Sequence, residues 1–420
     1  MSEVDSAADQ APTRLFLGAL IALTFVMNTI GRGVSETFAV FLLPVETGLG
    51  LTRAEISGTY SVYMLAYGFS APFAGQLIDR FGARATYAFG LLSLGLGYLA
   101  GGSATGAWSY YASVGVCGGL GAASLGMVTA SGLLSRWFSA RMGTISSIPY
   151  AAIGAGMLLF PPMTQLMIGT VGWRDAHRGL GLLVLAFLPL LLLLPLGKFT
   201  AGSQAWQSLR ANAKANDGGD WTMRAVMKTG AFRGLFAAYF ATSVAAYAVL
   251  PHSVAFLIER GFNPLAAASA FGFTGLLSVI GIIAMGWLSD RIGRRPAATL
   301  SYVSSMTGTA CLLAVVAYPS MLLVYGFVVF FGLMQGARGP ILVAMVAKIF
   351  AGGSVGTIFG ALSVALGFGA ATGSLASGLL HQATGDYAAS CVLSIAASAA
   401  GMACFWLVPS LRQERVIANA

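Results

Sequence analysis

Three charged side chains stand where a charge is costly. Arg32, Glu36 and Arg338 each lie deep inside a long apolar stretch, and an ionisable group at the centre of a bilayer costs about 2.5–3.5 kcal/mol or more, so it marks a functional site by default. At about 1.5 Å per helical residue, Arg32 lies roughly 27 Å along its helix from Arg14, and Arg338 roughly 15 Å in from Lys348. In a span that runs on to about residue 43, this reads Arg32 as at or slightly beyond the midplane, and Arg338 as near it. A guanidinium is a planar fork matched to a carboxylate, which makes a small organic anion the natural guest. The spacing also supports quieter readings. Arg32 and Glu36 are four residues apart, share a helix face and can neutralise each other. Arg338 sits in Gly336-Ala337-Arg338-Gly339-Pro340, where a helix broken by Gly and Pro exposes carbonyls that it could cap.

Around these, Asn28, Tyr150, Tyr247 and Gln335 supply amides and hydroxyls within apolar segments, and Tyr60, Tyr63 and Tyr67 follow one another at helical spacing. His252 follows Pro251; its imidazole titrates near physiological pH, which suits proton coupling as well as it suits hydrogen-bonded packing. Glu36 is the other candidate for carrying a proton. His177 and His381 fall in outer loops. Cys117, Cys311, Cys391 and Cys404 share no metal or redox spacing and read as packing residues. No paired acids, nucleophile constellation or metal-ligand cluster occurs within the apolar segments, so neither an enzyme nor a cofactor is expected.

The elements that position these residues follow from composition. With 57% hydrophobic residues, 9% charged and a mean hydropathy of +0.80, the chain reads as a polytopic all-α membrane protein. Twelve stretches long enough to span, at roughly 20 residues each, can be cut at charged and Gly/Pro-rich joints. The net charge of +9 comes without a basic helix or aromatic-basic interleaving, so nucleic acid is not an expected partner. Most Lys and Arg lie near one set of joints, which places both termini in the cytoplasm of a cell with the chain in its cytoplasmic membrane. The expected organisation is a cytoplasmic tail over 1–14, a six-helix bundle over 15–197, a cytoplasmic linker over 198–231, a second bundle over 232–410 and a tail over 411–420. The N-terminal tail is polar and acidic, unlike a signal peptide. The basic linker suits contact with anionic lipid headgroups, and the protein is expected to be a monomer.

The halves repeat. Gly75-Gln76-Leu77-Ile78-Asp79-Arg80-Phe81-Gly82-Ala83-Arg84 recurs 211 positions later as Gly286-Trp287-Leu288-Ser289-Asp290-Arg291-Ile292-Gly293-Arg294-Arg295. Each copy is a tight charged connection between two spans, in which glycine permits close approach or a positive φ. Arg136-Trp137-Phe138 before Gly143 is echoed by Lys348-Ile349-Phe350 before Gly356. Constant offset between corresponding joints indicates a parallel repeat about an axis along the membrane normal.

This doubled G-x-L-x-D-R-x-G-R-R pattern resembles the signature loop of the major facilitator superfamily, departing from it only at Ala83. The resemblance implies two pseudo-symmetric bundles that rock about a central site lined by spans one, four, seven and ten. That would set Arg32 and Arg338 on facing walls, with Asn28, Tyr247, Gln335 and Tyr150 as further substrate contacts. Asp79, Arg80, Arg84, Asp290, Arg291, Arg294 and Arg295 then read as a conformational gate. Phe38-Ala39-Val40-Phe41, Arg136-Trp137-Phe138, Gly172-Trp173-Arg174 and His252 followed by Ala255-Phe256-Leu257 look like the monocarboxylate porter and oxalate:formate antiporter branch. The implied function is transport of a small organic anion, a monocarboxylate, with a proton or in exchange. That branch carries a substrate arginine in span eight, where this chain has Ile282. The alternative is a proton-driven exporter of amphipathic compounds.

Overall fold

The computed structural model describes residues 13–138, 142–203, 223–349, 355–409 and 411. Most of the basic linker, including Arg210, Lys214 and the run 216–220, lies outside them, as do most of both tails. All regular elements among the described residues are helical, as a bilayer requires of a chain whose backbone groups must be satisfied within each span. Among the described residues seven stretches, including Arg14–Leu49, Ala107–Leu134 and Gly230–Glu259, are long and apolar enough to cross a membrane. Met321–Met334 is apolar but falls short by itself because span ten breaks after it.

The helices meet at left-handed glycines. Arg53–Gly101 is one continuous run that turns at Gly82 (φ 81°), giving span two over 53–81 and span three over 83–101. Pro264–Ile292 and Arg294–Ala314, spans eight and nine, meet at Gly293 (φ 89°). These are the equivalent glycines of the two Asp-Arg loops, and only a residue without Cβ adopts that backbone freely. At the other end of the molecule Gly172 (φ 80°) joins spans five and six within Met142–Leu185, and Gly385 (φ 78°) stands between Val355–Thr384 and Ala388–Leu407, spans eleven and twelve.

Spans one, four, seven and ten are interrupted partway. Span one is split at Thr37 into Arg14–Glu36 and Phe38–Leu49, and span seven at 248–252 between Gly230–Tyr247 and Ser253–Glu259. Span four is split at Gly126 and span ten between Met334 and Arg338. The causes are local. The Thr37 hydroxyl donates to the Val34 carbonyl at 2.5 Å, competing with the helix ladder; Pro251 has no amide to offer span seven; Gly336 takes φ 78°. Carbonyls freed at such breaks find new donors, as Val34 does from Tyr98 at 2.6 Å.

Each half has its own apolar core, and a third core is shared. Ala39, Val40 and Met157 of the first half pack with Val254, Phe256, Phe271, Phe327 and Tyr387 of the second. The seam between halves runs along spans two and eleven and along spans five and eight. It is closest at glycines: Gly68 lies against Gly367, and a β-carbon on Gly154 would collide with the carbonyl of Gly275. Small residues allow such approach, which packing in lipid rewards. The shared core and the side-chain hydrogen bonds that cross the seam lie at its middle and toward the end opposite the Asp-Arg loops.

Candidate functional site

The charged residues singled out by the sequence stand at the breaks. Glu36 is the last residue of the first segment of span one, Arg338 opens the second segment of span ten, and His252 closes the interruption of span seven.

Arg32 and Glu36 form an ion pair of 2.6 Å, with side chains 12% and 3% exposed. The Arg32 guanidinium lies 5.8 Å from the ring centroid of Tyr67 and is in electrostatic contact with Tyr60 and with Tyr247 of span seven. Tyr60 and Tyr247 approach each other across the seam, centroid to centroid 5.9 Å. Arg32 Nε remains buried without a hydrogen-bond partner among the described residues. The charges of the pair neutralise each other, and the arginine faces the other half through aromatic rings that attract a cation.

Arg338 is different. It is 7% exposed, donates from Nη2 to the Ser305 hydroxyl at 2.8 Å, and lies 4.5 Å from the centroid of Tyr302, whose own hydroxyl is 2.6 Å from that of Thr242. Nε and Nη1 are buried and without partners among the described residues, and no acidic side chain of those residues pairs with it. Among the described residues Ser305 accepts its hydrogen bond, and no carbonyl of the break is bonded to it. Leaving a buried guanidinium unpaired is strongly unfavourable, of order 3–5 kcal/mol when a partner is removed. Three residues earlier, Gln335 Nε2 reaches Met157 Sδ of span five at 3.6 Å, and Gln335 Oε1 is unpartnered. Span five in turn packs Gly156 against Gly33, beside Arg32. One helix thus touches the neighbourhoods of both arginines, though the two share no partner among the described residues.

The remaining candidates scatter. Asn28 is fully buried inside the first bundle, where Nδ2 donates to the Pro149 carbonyl at 2.5 Å and lies 3.1 Å from Met127 Sδ; Oδ1 is unpartnered. Tyr150 of span five is 38% exposed and in electrostatic contact with Tyr239 of span seven. His252 is enclosed, with Nε2 3.1 Å from the Ser374 carbonyl and Nδ1 3.4 Å from the Tyr387 hydroxyl. Asp79 pairs with Arg136 at 2.7 Å, and Arg136 also donates to the Thr200 carbonyl at 2.6 Å; both belong to the first half. Arg84 donates to the Leu194 carbonyl, Arg80 lies over Phe81, Arg291 over Trp287 and Arg295 over Trp406, while the side chain of Asp290 lies outside the described set. The Asp79–Arg136 ion pair stays within the first half.

Two groups were not legible as sites. His177, read as a loop residue, is fully buried, 2.9 Å from the Tyr110 hydroxyl and 3.0 Å from the Trp173 carbonyl, among Phe41, Tyr98 and Tyr110. Arg53, which starts span two just before its apolar stretch, binds Glu46, Glu259 and Tyr387 together. The acids at the ends of spans one and seven, Glu46 and Glu259, occupy nearly equivalent places in the two halves, and this was the available signal.

This architecture is shared with known transporters. The chain is 26% identical over 386 residues to "Monocarboxylate transporter 13" of Rattus norvegicus, covering 91% of this chain and 87% of that protein. It is also 26% identical over 408 residues to "Uncharacterized MFS-type transporter YcxA" of Bacillus subtilis (strain 168), covering 94% and 96%. A bacterial homologue of the human lysosomal transporter Spinster, in an inward-facing and occupied conformation, superposes with a TM-score of 0.77 at 14% identity over 97% of this chain and all of that one. The inward open xylose transporter XylE of E. coli gives 0.75 at 13% identity over 94% and 96%. The family model described as Major Facilitator Superfamily matches residues 21–337 and 276–419. With its two related halves of six spans, its paired Asp-Arg loops and that match over nearly its whole length, this multi-pass membrane protein belongs to the Major Facilitator Superfamily.

Proposed function

We propose that the protein moves a small organic anion, a monocarboxylate, across the cytoplasmic membrane by alternating access, with both termini in the cytoplasm. The bundles over 15–197 and 232–410 rock about the glycine seam, and the linker over 198–231 connects them. The observation that carries this reading is the buried guanidinium of Arg338, whose Nε and Nη1 have no partner among the described residues. A carboxylate supplies the bidentate acceptor such a fork takes. Ile282, at the place where the resembled branch carries its substrate arginine, packs beside Gly336 at the break that presents Arg338, so the cation is supplied from span ten in place of span eight. The relative from Rattus norvegicus is named for monocarboxylates, which agrees with this choice of cargo.

Arg32 contributes from the other half, with Gln335 and Tyr247 beside the two arginines and Asn28 and Tyr150 flanking them. Glu36 takes the proton: with its charge removed, Arg32 is free to turn its attraction to the cargo, which couples one proton to one anion. The test is uptake of radiolabelled lactate, pyruvate, formate and oxalate into proteoliposomes. At least one is accumulated, faster under an inward proton gradient, and Arg338→Ala loses that uptake. Failure to move any of the four, or Arg338→Ala working as fast as the parent, overturns the reading.

A further inference from the structure

The end of the molecule opposite the Asp-Arg loops is tied by one side chain. Arg53 uses all three guanidinium nitrogens: Nε donates to Glu46 at 3.0 Å, Nη2 to Glu46 at 2.7 Å and to Glu259 at 2.8 Å, and Nη1 to the Tyr387 hydroxyl. Glu46 belongs to the same half as Arg53. Glu259 and Tyr387 belong to the other, 206 and 334 positions away. Behind this cluster the two halves are in contact along spans two and eleven, where Ser61 donates to the Ala371 carbonyl at 2.8 Å, Ser374 to the Ser57 carbonyl at 3.4 Å, and Gly378 lies against Ser57.

The geometry points to Arg53 as the clasp that closes this end of the transport path and lets go when it opens. A static brace and a clasp differ in what the groups would do once apart. Here each side keeps a partner of its own: Arg53 retains Glu46, while Glu259 retains His381 at 3.2 Å. Tyr387 likewise keeps His252, and the neighbouring Arg260–Asp386 pair, 3.6 Å apart, lies wholly in the second half. Separation therefore strands no buried ion, which is the condition for a bridge between bundles to be broken and remade in every cycle. The assignment holds whatever the cargo, so its test is conformational and independent of uptake.

Cysteines placed at Thr105 and Gln382, both exposed at this end on opposite halves, are spin-labelled in an otherwise cysteine-free chain in liposomes, and the distance between them is read by pulsed electron resonance. The parent gives a dominant short distance. Arg53→Gln and, separately, Glu259→Gln move at least half of the population to a longer distance, whereas Glu46→Gln shifts it far less because that contact lies within one half. Should Arg53→Gln fold poorly, Glu259→Gln and Tyr387→Phe still decide the matter. Unchanged distances in the Glu259→Gln and Tyr387→Phe variants, or an equal shift in Glu46→Gln, overturn the assignment.

Discussion

Arg32 and Arg338 are both buried arginines beside a helix interruption, one in each half, yet the protein has treated their charges in opposite ways. Arg32 is answered one turn later by Glu36. Arg338 is given a ring and a hydroxyl, Tyr302 and Ser305, neither of which cancels a charge. The difference teaches that two similar residues at similar places need not do the same work: under the proposed function Arg338 is the standing site for the anion, while Arg32 becomes available to it only when Glu36 is neutral.

The comparison breaks most clearly at Arg338. Removing the partner of a desolvated carboxylate costs about 2–5 kcal/mol, so Arg338→Ala is expected to lower anion uptake by roughly 30-fold or more at low substrate, measured as initial rates in proteoliposomes. Arg338→Lys, a point charge without the fork, recovers part of it. Glu36→Gln comes next. It leaves Arg32 uncompensated, so anion uptake persists but loses its acceleration by an inward proton gradient, and thermal stability falls by about 3 kcal/mol, as breaking a buried pair entails; retained gradient dependence would remove Glu36 from the coupling. The smallest effect belongs to Tyr302→Phe. It deletes the hydroxyl contact with Thr242 but keeps the ring under Arg338, so about 1 kcal/mol of stability is lost with little change in the substrate concentration for half-maximal uptake. A large change there would mean that the phenol itself holds the cargo.

The outline of this molecule could be read before any coordinates, because its signals are local. The two Asp-Arg loops and their glycines repeat in the chain, and Gly82 and Gly293 adopt the left-handed turn their types allow. Buried charges likewise stand out in an apolar sequence. What could not be read is what depends on distant partners. Arg53 looks like any loop cation until Glu259 and Tyr387 are brought to it. His177 looks exposed beside Arg174 and Arg178, but helical geometry turns it inward to Tyr110 while Arg178 stays 47% exposed. Asn28 has the chemistry of a ligand, but its amide nitrogen is taken by Pro149 and Met127, partners from spans it cannot see along the chain.

Gly154 and Gly275 meet without side chains, and this shapes how the two bundles can move. Backbone meets backbone there, with Val279 seated over Gly154 and Met157 over Gly275, so a rotation centred on this joint displaces these contacts little. If the bundles turn by about 15°, as subunits elsewhere do, a point at the membrane surface, about 15 Å from the pivot, travels about 4 Å. That is a negligible slide at the fulcrum and a full bond-breaking displacement at the rim, so the same motion can be nearly free where the bodies touch and decisive where their charges meet.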